Sequence, residues 1–437
     1  MSDIAIGFTG LFSLFSLIAL RVPIGIALIM VSFAGIWAVI GVEVALSSLG
    51  IIPYNFAANW TLSSVPLFLF LGFICYHTQL TQGMFKAARV WLAGVPGGLA
   101  IASIFGSAGF AAVSGSSIAC SAAMGRIAVP EMMRYKYDPG LATGTVAVAG
   151  TIGALIPPSI IMILYGVIAQ TSVSQLFLGG IAAGLITMAG YVLVVWIRVK
   201  LNPDLAHDVK EKIPTQEKIR SLQDTWPIFL IMSGIFGGLF AGIFTPNEAG
   251  AVGASLACIV ALVKGQMTWS AFKSSVLETL VTTSALLIIA VGASMLTRFL
   301  VFSGAGDYIS ELILSFNASD LLIILGLVLI YLALGMFLEP IGAMLLTLPI
   351  ILPVIESTQY SLIWFGVILT KLLEVGMITP PVGMNVFVIK SVVGNLVTTS
   401  AIFKGILWFL AMDLLIVLLL IAVPDIIMYL PNLVGGR

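Results

Sequence analysis

The chain has 437 residues, of which 60% are hydrophobic and only 9% charged, with a mean hydropathy of +1.16. A soluble domain carries about 25% charged residues, so this composition excludes a water-covered globule and points to a polytopic α-helical membrane protein. Nineteen basic residues balance nineteen acidic ones without a basic stripe of interleaved aromatics, which excludes a nucleic-acid surface.

Met1-Ser2-Asp3 leads into apolar residues without a basic n-region or a small-residue cleavage site, so the start is read as a first spanning helix rather than a signal peptide. Apolar runs cover 4–20, 24–45, 52–80, 98–133, 140–168 and 175–197; a span needs about 20 such residues. The run 98–133 is interrupted by Ser114-Gly115-Ser116-Ser117, which leaves arms of about 16 residues, or ~24 Å at helical rise. That is short of the roughly 30 Å apolar core, so a re-entrant hairpin is predicted. Its arms carry small residues at every fourth position, Ser103, Ser107, Ala111 and Gly115 on one and Ser117, Ser121 and Gly125 on the other, which lets two helices approach closely. The run 140–168 is broken at Gly153–Ser159 by Pro157-Pro158.

A polar segment, 198–225, follows, with Arg198, Lys200, Lys210, Lys212, Lys218 and Arg220. His207 to Leu222 within it reads either as an amphipathic surface helix or as a solvated basic loop. Further apolar runs then cover 227–244, 247–263, 276–303, 321–356, 360–389 and 402–430. An offset of 223 residues lays Pro23, Pro130, Pro157 and Pro158 on Pro246, Pro353, Pro380 and Pro381, with Gly83 on Gly306 and Gly153 on Gly376. The chain is therefore read as two repeats. Residues 1–197 hold scaffold helices (4–80), a hairpin (98–133) and a broken helix (140–168). After the linker, 226–437 hold scaffold helices (227–303), a hairpin (321–356) and a broken helix (360–389). Five spans per repeat, about ten in all beside the two hairpins, make the second repeat inverted.

Charge agrees with inversion. Lys86, Arg89, Arg134 and Lys136 flank the first hairpin, whereas Asn317 to Gln359 contains Asp320, Glu339 and Glu356 but no Lys or Arg. By the positive-inside rule the first hairpin opens to the cytoplasm and the second outside, with the linker cytoplasmic and both termini periplasmic.

Irregular backbone at membrane depth is tolerated only where it is buried or lines a cavity. It is expected at the tips Ser114–Ser117 and Glu339–Met344 and at the breaks Gly153–Ser159 and Gly376–Asn385. Proline lacks an amide donor and frees carbonyls of the preceding turn. Freed carbonyls can hold a cation and half-helix N-termini can face an anion, the pattern of a midplane transport site.

Charged residues inside spans are candidates by default. Arg126 either binds a carboxylate, pairs with Glu131 or reaches the cytoplasmic surface. Lys371 and Glu374, as i, i+3 neighbours, are expected to neutralise each other. Glu339 is either an acidic cation ligand or the cap of a helix beginning near Pro340. Glu248 reads as a first-turn stabiliser, His77 as a packed or interfacial residue, and Cys75, Cys120 and Cys258 as buried small hydrophobes. His77 and His207, the two histidines, cannot build a zinc site between them. Tyr137-Asp138 and Gly304-Ala-Gly-Asp307 mimic the paired motifs of an intramembrane aspartyl protease, but the predicted topology sets them about a bilayer apart. No G-x-x-x-x-G-K-[ST] phosphate loop is present.

Ala112-Val-Ser-Gly-Ser-Ser117, Gly153-Ala-Leu-Ile-Pro-Pro-Ser159, Leu338-Glu-Pro through Leu348-Pro-Ile-Ile-Leu-Pro353, and Gly376-Met-Ile-Thr-Pro-Pro-Val-Gly383 resemble the large membrane subunit of TRAP (tripartite ATP-independent periplasmic) transporters, over nearly the whole chain. The resemblance implies a sodium-driven secondary transporter of the bacterial inner membrane, no enzyme, which moves a transport domain against a scaffold as an elevator. It implies two partners, a small four-helix membrane subunit expected on a separate chain and a periplasmic binding protein that delivers an organic acid. Carried over, one sodium site involves Ser114, Ser116, Ser117, Gly153 and Pro157, and the other Glu339, Gly342, Gly376, Thr379 and Val382, largely through backbone carbonyls. Substrate would lie between the tips near Ser116, Ser159, Pro340, Gly383 and Asn385, with Arg126 as a candidate cation. A standalone sodium-coupled dicarboxylate symporter is the alternative; the two Pro-Pro breaks and the Ser-Gly-Ser-Ser tip favour the TRAP reading.

Overall fold

A backbone surrounded by hydrocarbon has no water to bond to, so a chain this apolar must close its hydrogen bonds within helices. The computed structural model describes residues 2–207, 214–315 and 319–435, and these form α-helices and short 3-10 turns, with no strand among the described residues. The chain is an all-α polytopic membrane protein. Lys210, Lys212 and Asn317 lie outside the described residues.

The first half contains α1 (Asp3–Ala19), α2 (Ile24–Val39), α3 (Val42–Ala57), α4 (Ser64–His77) and α5 (Gln82–Trp91). The expected hairpin follows as α6 (Gly98–Ser114) and α7 (Ser117–Arg134), and the broken helix as α8 (Pro139–Gly150) and α9 (Ile160–Ile168). The long α10 (Val173–Leu201) closes this half, and α11 (Thr215–Gln223) lies in the linker. The second half runs through α12 (Trp226–Phe240), α13 (Pro246–Val263), α14 (Trp269–Ser303) and α15 (Ala305–Ser315). Its hairpin is α16 (Asp320–Gly335) and α17 (Pro340–Glu356), its broken helix α18 (Leu362–Gly376) and α19 (Met384–Val393), and α20 (Thr399–Ala422) and α21 (Asp425–Gly435) end it.

Helix starts recur at the spacing of the prolines. Shifted by 223, Gly98 falls at 321 beside Asp320, Ser117 on Pro340, Pro139 on Leu362, and Ile160 at 383 beside Met384. The correspondence lapses at one place. The run 52–80 is divided by a 3-10 turn at Trp60–Ser63, whereas its counterpart belongs to the continuous α14. Asn59 caps that turn by accepting from the Thr61 amide at 2.9 Å, and Asn247 donates its side-chain amide to the Trp60 carbonyl. One local and one tertiary side-chain bond thus accompany the interruption of a helix that apolar periodicity alone would continue.

Among the described residues, five helices or helical segments are long and apolar enough to cross a membrane unaided: Trp60–His77, Val173–Leu201, Pro246–Val263, Trp269–Ser303 and Thr399–Ala422. The hairpin arms and half-helices are shorter and are buried by their neighbours. One core cluster joins the second hairpin to α4, α9, α10, α13 and α18 through residues such as Tyr165, Tyr331 and Phe365. Another joins the first hairpin to α5, α8, α10, α19 and α20. The halves therefore interleave.

The described residues of the linker include helical segments. Arg198 and Lys200 occupy the last turn of α10, so the first long helix passes the expected boundary at 197. Helix α11 docks on α5, where Trp91 Nε1 donates to the Lys218 carbonyl at 3.2 Å and Lys86 pairs with Asp224 at 2.7 Å. Close backbone contact holds α8 to α20: a Cβ on Gly405 would overlap the Gly140 carbonyl oxygen, and one on Gly144 would lie 2.7 Å from the Gly405 carbonyl carbon. Gly405→Ala is therefore expected to lower stability by about 1–3 kcal/mol through overpacking, read as a lower thermal-unfolding midpoint in detergent.

Candidate functional site

The first hairpin turns at Gly115, whose φ of +59° favours glycine. Ser116 then caps α7, its hydroxyl accepting from the Ala119 amide at 3.4 Å. This tip rests directly on the first break. A Cβ on Gly115 would lie 2.5 Å from the Pro158 carbonyl oxygen, and one on Gly153 would lie 3.2 Å from the Ser116 carbonyl. Ser159 is fully buried and caps α9, accepting from the Met162 amide at 3.3 Å. Both Pro-Pro bonds, Pro157-Pro158 and Pro380-Pro381, are cis.

At the second tip Glu339 occupies the position that Ser116 holds in the first. It caps α17, its carboxylate accepting from the Gly342 amide at 2.9 Å. Glu339 thus caps α17 while also bordering the cavity described below. Gly376, at the end of α18, approaches Gly335, where a Cβ would meet the Gly335 Cα at 2.5 Å. Thr379 donates its hydroxyl to the Val375 carbonyl at 2.6 Å. Gly383, with φ of +60°, starts α19. Asn385 is fully buried and donates to the Ala147 carbonyl of α8 at 3.4 Å, while its Oδ1 has no partner. The first break is buried, whereas Pro381 is exposed and Pro380 and Val382 half-buried.

A cavity of about 430 Å³ lies where these pieces meet. Ser114, Ser116 and Ser117 line it from the first tip, Glu339 and Pro340 from the second, and Glu374 and Met377 from α18 and the start of the second break. The N-termini of α7, α9 and α17 all reach it, through Ser117, Ile160 and Pro340. Partial positive charge at helix N-termini favours an anion. Ser114 Oγ is buried without a hydrogen-bond partner, and the tip-to-break contact supplies further oxygens in the Ser116 and Pro158 carbonyls. An all-oxygen donor set suits a hard cation.

Glu374, which lines the cavity, and Lys371, three residues before it, are both buried, with partners different from the expected ones. Lys371 does not neutralise Glu374. Its Nζ bonds Asp413 Oδ1 of α20 at 2.5 Å, and the Tyr191 hydroxyl donates to the same carboxylate at 2.8–2.9 Å. Thr151 Oγ1 lies 3.0 Å from the Tyr191 hydroxyl. Glu374 instead accepts from Ser117 Oγ at 2.5 Å, which ties α18 to the first tip.

The structure thus gathers Ser114, Ser116, Ser117, Glu339 and Pro340 around one space, with Gly153 and Ser159 immediately behind the first tip. Gly342, Gly376, Thr379, Val382, Gly383 and Asn385 flank the second tip and break without lining the cavity, and Pro157 is buried beneath the first tip. Arg126 is exposed on α7 and does not line the cavity either; Glu131 pairs with Arg89 instead. Glu248 forms the expected first-turn contact, a capping box with Thr245. His77 lies 3.1 Å from Glu278, which lines the cavity from α14. Asp138 caps α8 by accepting from the Leu141 amide at 2.8 Å.

Asp413, Tyr191 and Thr151 were not singled out from sequence. A signal existed for Asp413, the one charged residue between Lys404 and Asp425 in an otherwise apolar run. Tyr191 and Thr151 carry no such mark.

Two helical hairpins and two broken helices enclose a cavity in an all-α membrane protein. The structure matches the Alcanivorax borkumensis YdaH transporter with a TM-score of 0.61 at 15% identity, covering 87% of this chain and 88% of that one. Residues 11–426 match the family described as "Tripartite ATP-independent periplasmic transporter, DctM component". The chain is 32% identical to the Pseudomonas aeruginosa C4-dicarboxylate TRAP transporter large permease protein DctM, across 89% of this chain and 90% of that protein. It is 29% identical to the Vibrio cholerae sialic acid TRAP transporter large permease protein SiaM, across 98% of both. The chain belongs to the DctM family of TRAP transporter large membrane subunits.

Removing one partner of a buried ion pair leaves an uncompensated charge, which costs about 3–5 kcal/mol. Asp413→Ala is accordingly expected to lower the unfolding midpoint sharply, while the double variant Lys371→Met with Asp413→Leu recovers most of the loss in the same measurement.

Proposed function

We propose that this chain is the inner-membrane permease of a sodium-coupled system that imports an organic acid. The class is a C4-dicarboxylate, a sugar acid or sialic acid, delivered by a periplasmic binding protein, with a small four-helix membrane subunit completing the complex. The observation that carries the reading is the cavity shared by both tips, α9 and α18, where three helix N-termini converge. A carboxylate there would be met by backbone dipoles with no arginine needed. The carboxylates of Glu278, Glu339 and Glu374 also border the space, so an anion gains from cations bound beside it. Sodium supplies that charge, and its gradient supplies the work.

One cation site is proposed where the Ser114–Ser117 tip abuts the Gly153–Ser159 break, and its counterpart between Glu339, Gly342 and the Gly376–Val382 segment. The hairpins and broken helices would move together as an elevator against the α1–α4 and α12–α14 scaffold. Both termini are proposed to be periplasmic, with the second half inverted relative to the first.

Three measurements test these statements. In liposomes holding the complex and its binding protein, an inward sodium gradient is expected to drive uptake of one of the named acids and a potassium gradient is not; uptake indifferent to sodium overturns the coupling. Ser114→Ala and Ser116→Ala are each expected to raise the sodium half-saturation about fivefold, the worth of one polar contact. Unchanged half-saturation in both removes those hydroxyls from the site. For topology, an impermeant thiol reagent added outside is expected to label Ser319→Cys but not Tyr135→Cys, and the reverse pattern inverts the assignment.

A further inference from the structure

Burying ionised groups costs free energy that a well-packed apolar contact would not, so an ion pair at full burial calls for a role other than stability. Lys371 and Asp413 are such a pair, each with 0% of its side chain exposed. They extend into a chain. The Tyr191 hydroxyl gives its one proton to the Asp413 carboxylate, so its 3.0 Å contact with Thr151 Oγ1 is bridged by the Thr151 proton, which the Val148 carbonyl of the same turn also accepts at 2.7 Å. Thr151 opens the 3-10 turn Thr151–Ala154, and Gly153 in that turn abuts the Ser116 carbonyl. Three residues further along α18, Glu374 accepts from Ser117 on the opposite side of that contact. Residues three apart lie on one helix face. The same face of α18 therefore grips the first tip through Glu374 and the first break through Lys371, Asp413, Tyr191 and Thr151. It can do so because Asp413 occupies Lys371, leaving the Glu374 carboxylate to Ser117.

We propose that Lys371, Asp413, Tyr191 and Thr151 form a positioning network for the cation site at the first tip, setting the distance between the Ser114–Ser117 tip and the Thr151–Ala154 turn from α18. Helix α18 ends at Gly376, where the second break begins. A shift of α18 caused by a cation at the second break is thereby transmitted to the first site through side chains that touch neither ion. This rests on the sodium reading above and adds to it the residues that couple the two sites.

The test uses this chain in lipid nanodiscs and reads the unfolding midpoint as sodium chloride replaces potassium chloride at constant ionic strength. Tyr191→Phe removes one hydroxyl without changing the packed ring, and Thr151→Val removes the other. Each is expected to raise the sodium concentration for half-maximal stabilisation about fivefold, the equivalent of one lost hydrogen bond. Thr151→Ser, which keeps the hydroxyl, is expected to restore the native value. Variants that lower the midpoint equally in both salts, with half-saturation unchanged, have a purely structural network and overturn the inference while leaving sodium coupling intact. A native chain with no sodium-specific stabilisation overturns the sodium reading itself, and the inference with it.

Discussion

Everything distinctive about this fold follows from the cost of exposing unpaired backbone to hydrocarbon. At the Ser114–Ser117 tip and the Gly153–Ser159 break the helical ladder stops, and the freed amides and carbonyls must be met by protein or by a bound group. The chain meets them by pressing the two irregular segments together, Gly115 on Pro158 and Gly153 on Ser116, with serine caps at positions 116 and 159. Only glycine permits that closeness. Ser114, Ser116, Ser117 and the N-termini of α7, α9 and α17 are left facing the cavity, so a structural liability becomes a cluster of oriented oxygens and helix N-termini.

The two halves repeat this solution with one chemical difference. The cap of α7 is Ser116 and that of α17 is Glu339, so the second tip brings a carboxylate where the first has a neutral hydroxyl. The first break is enclosed, and the second is partly open at Pro380 to Val382. Two unlike tips thus border one space, one with a neutral cap and the other with a carboxylate.

Most of the architecture was legible in the order of residues. Periodicity in lipid is simple: a run of about 20 apolar residues spans, a run interrupted by Ser-Gly-Ser-Ser turns back, and Pro-Pro breaks a helix. The arms α6–α7 meet at the Ser-Gly-Ser-Ser interruption, the broken pairs α8–α9 and α18–α19 part at the Pro-Pro segments, and α16–α17 fall where the 223-residue offset lays the first hairpin. What the run of residues left undecided shares a cause. The 3-10 turn at Trp60–Ser63 involves Asn59 and Asn247 from another helix, and α11, one of the two readings left open for the linker, docks on α5. Hydropathy carries no information about such partners.

Apolar content, the spacing of the prolines and the hairpin signature, all local properties, were enough to establish a polytopic transporter with paired irregular segments. The pairing of its charges was not local. Lys371 and Glu374 are neighbours along one helix, yet Lys371 binds Asp413, 42 residues away, and Glu374 binds Ser117, 257 residues away. In a low-dielectric interior a full charge takes the partner that offers the best enclosed geometry, whatever its distance along the chain. Which helices come close enough to offer one is set by the packing of glycines and small side chains across the two halves, and that exists only in three dimensions.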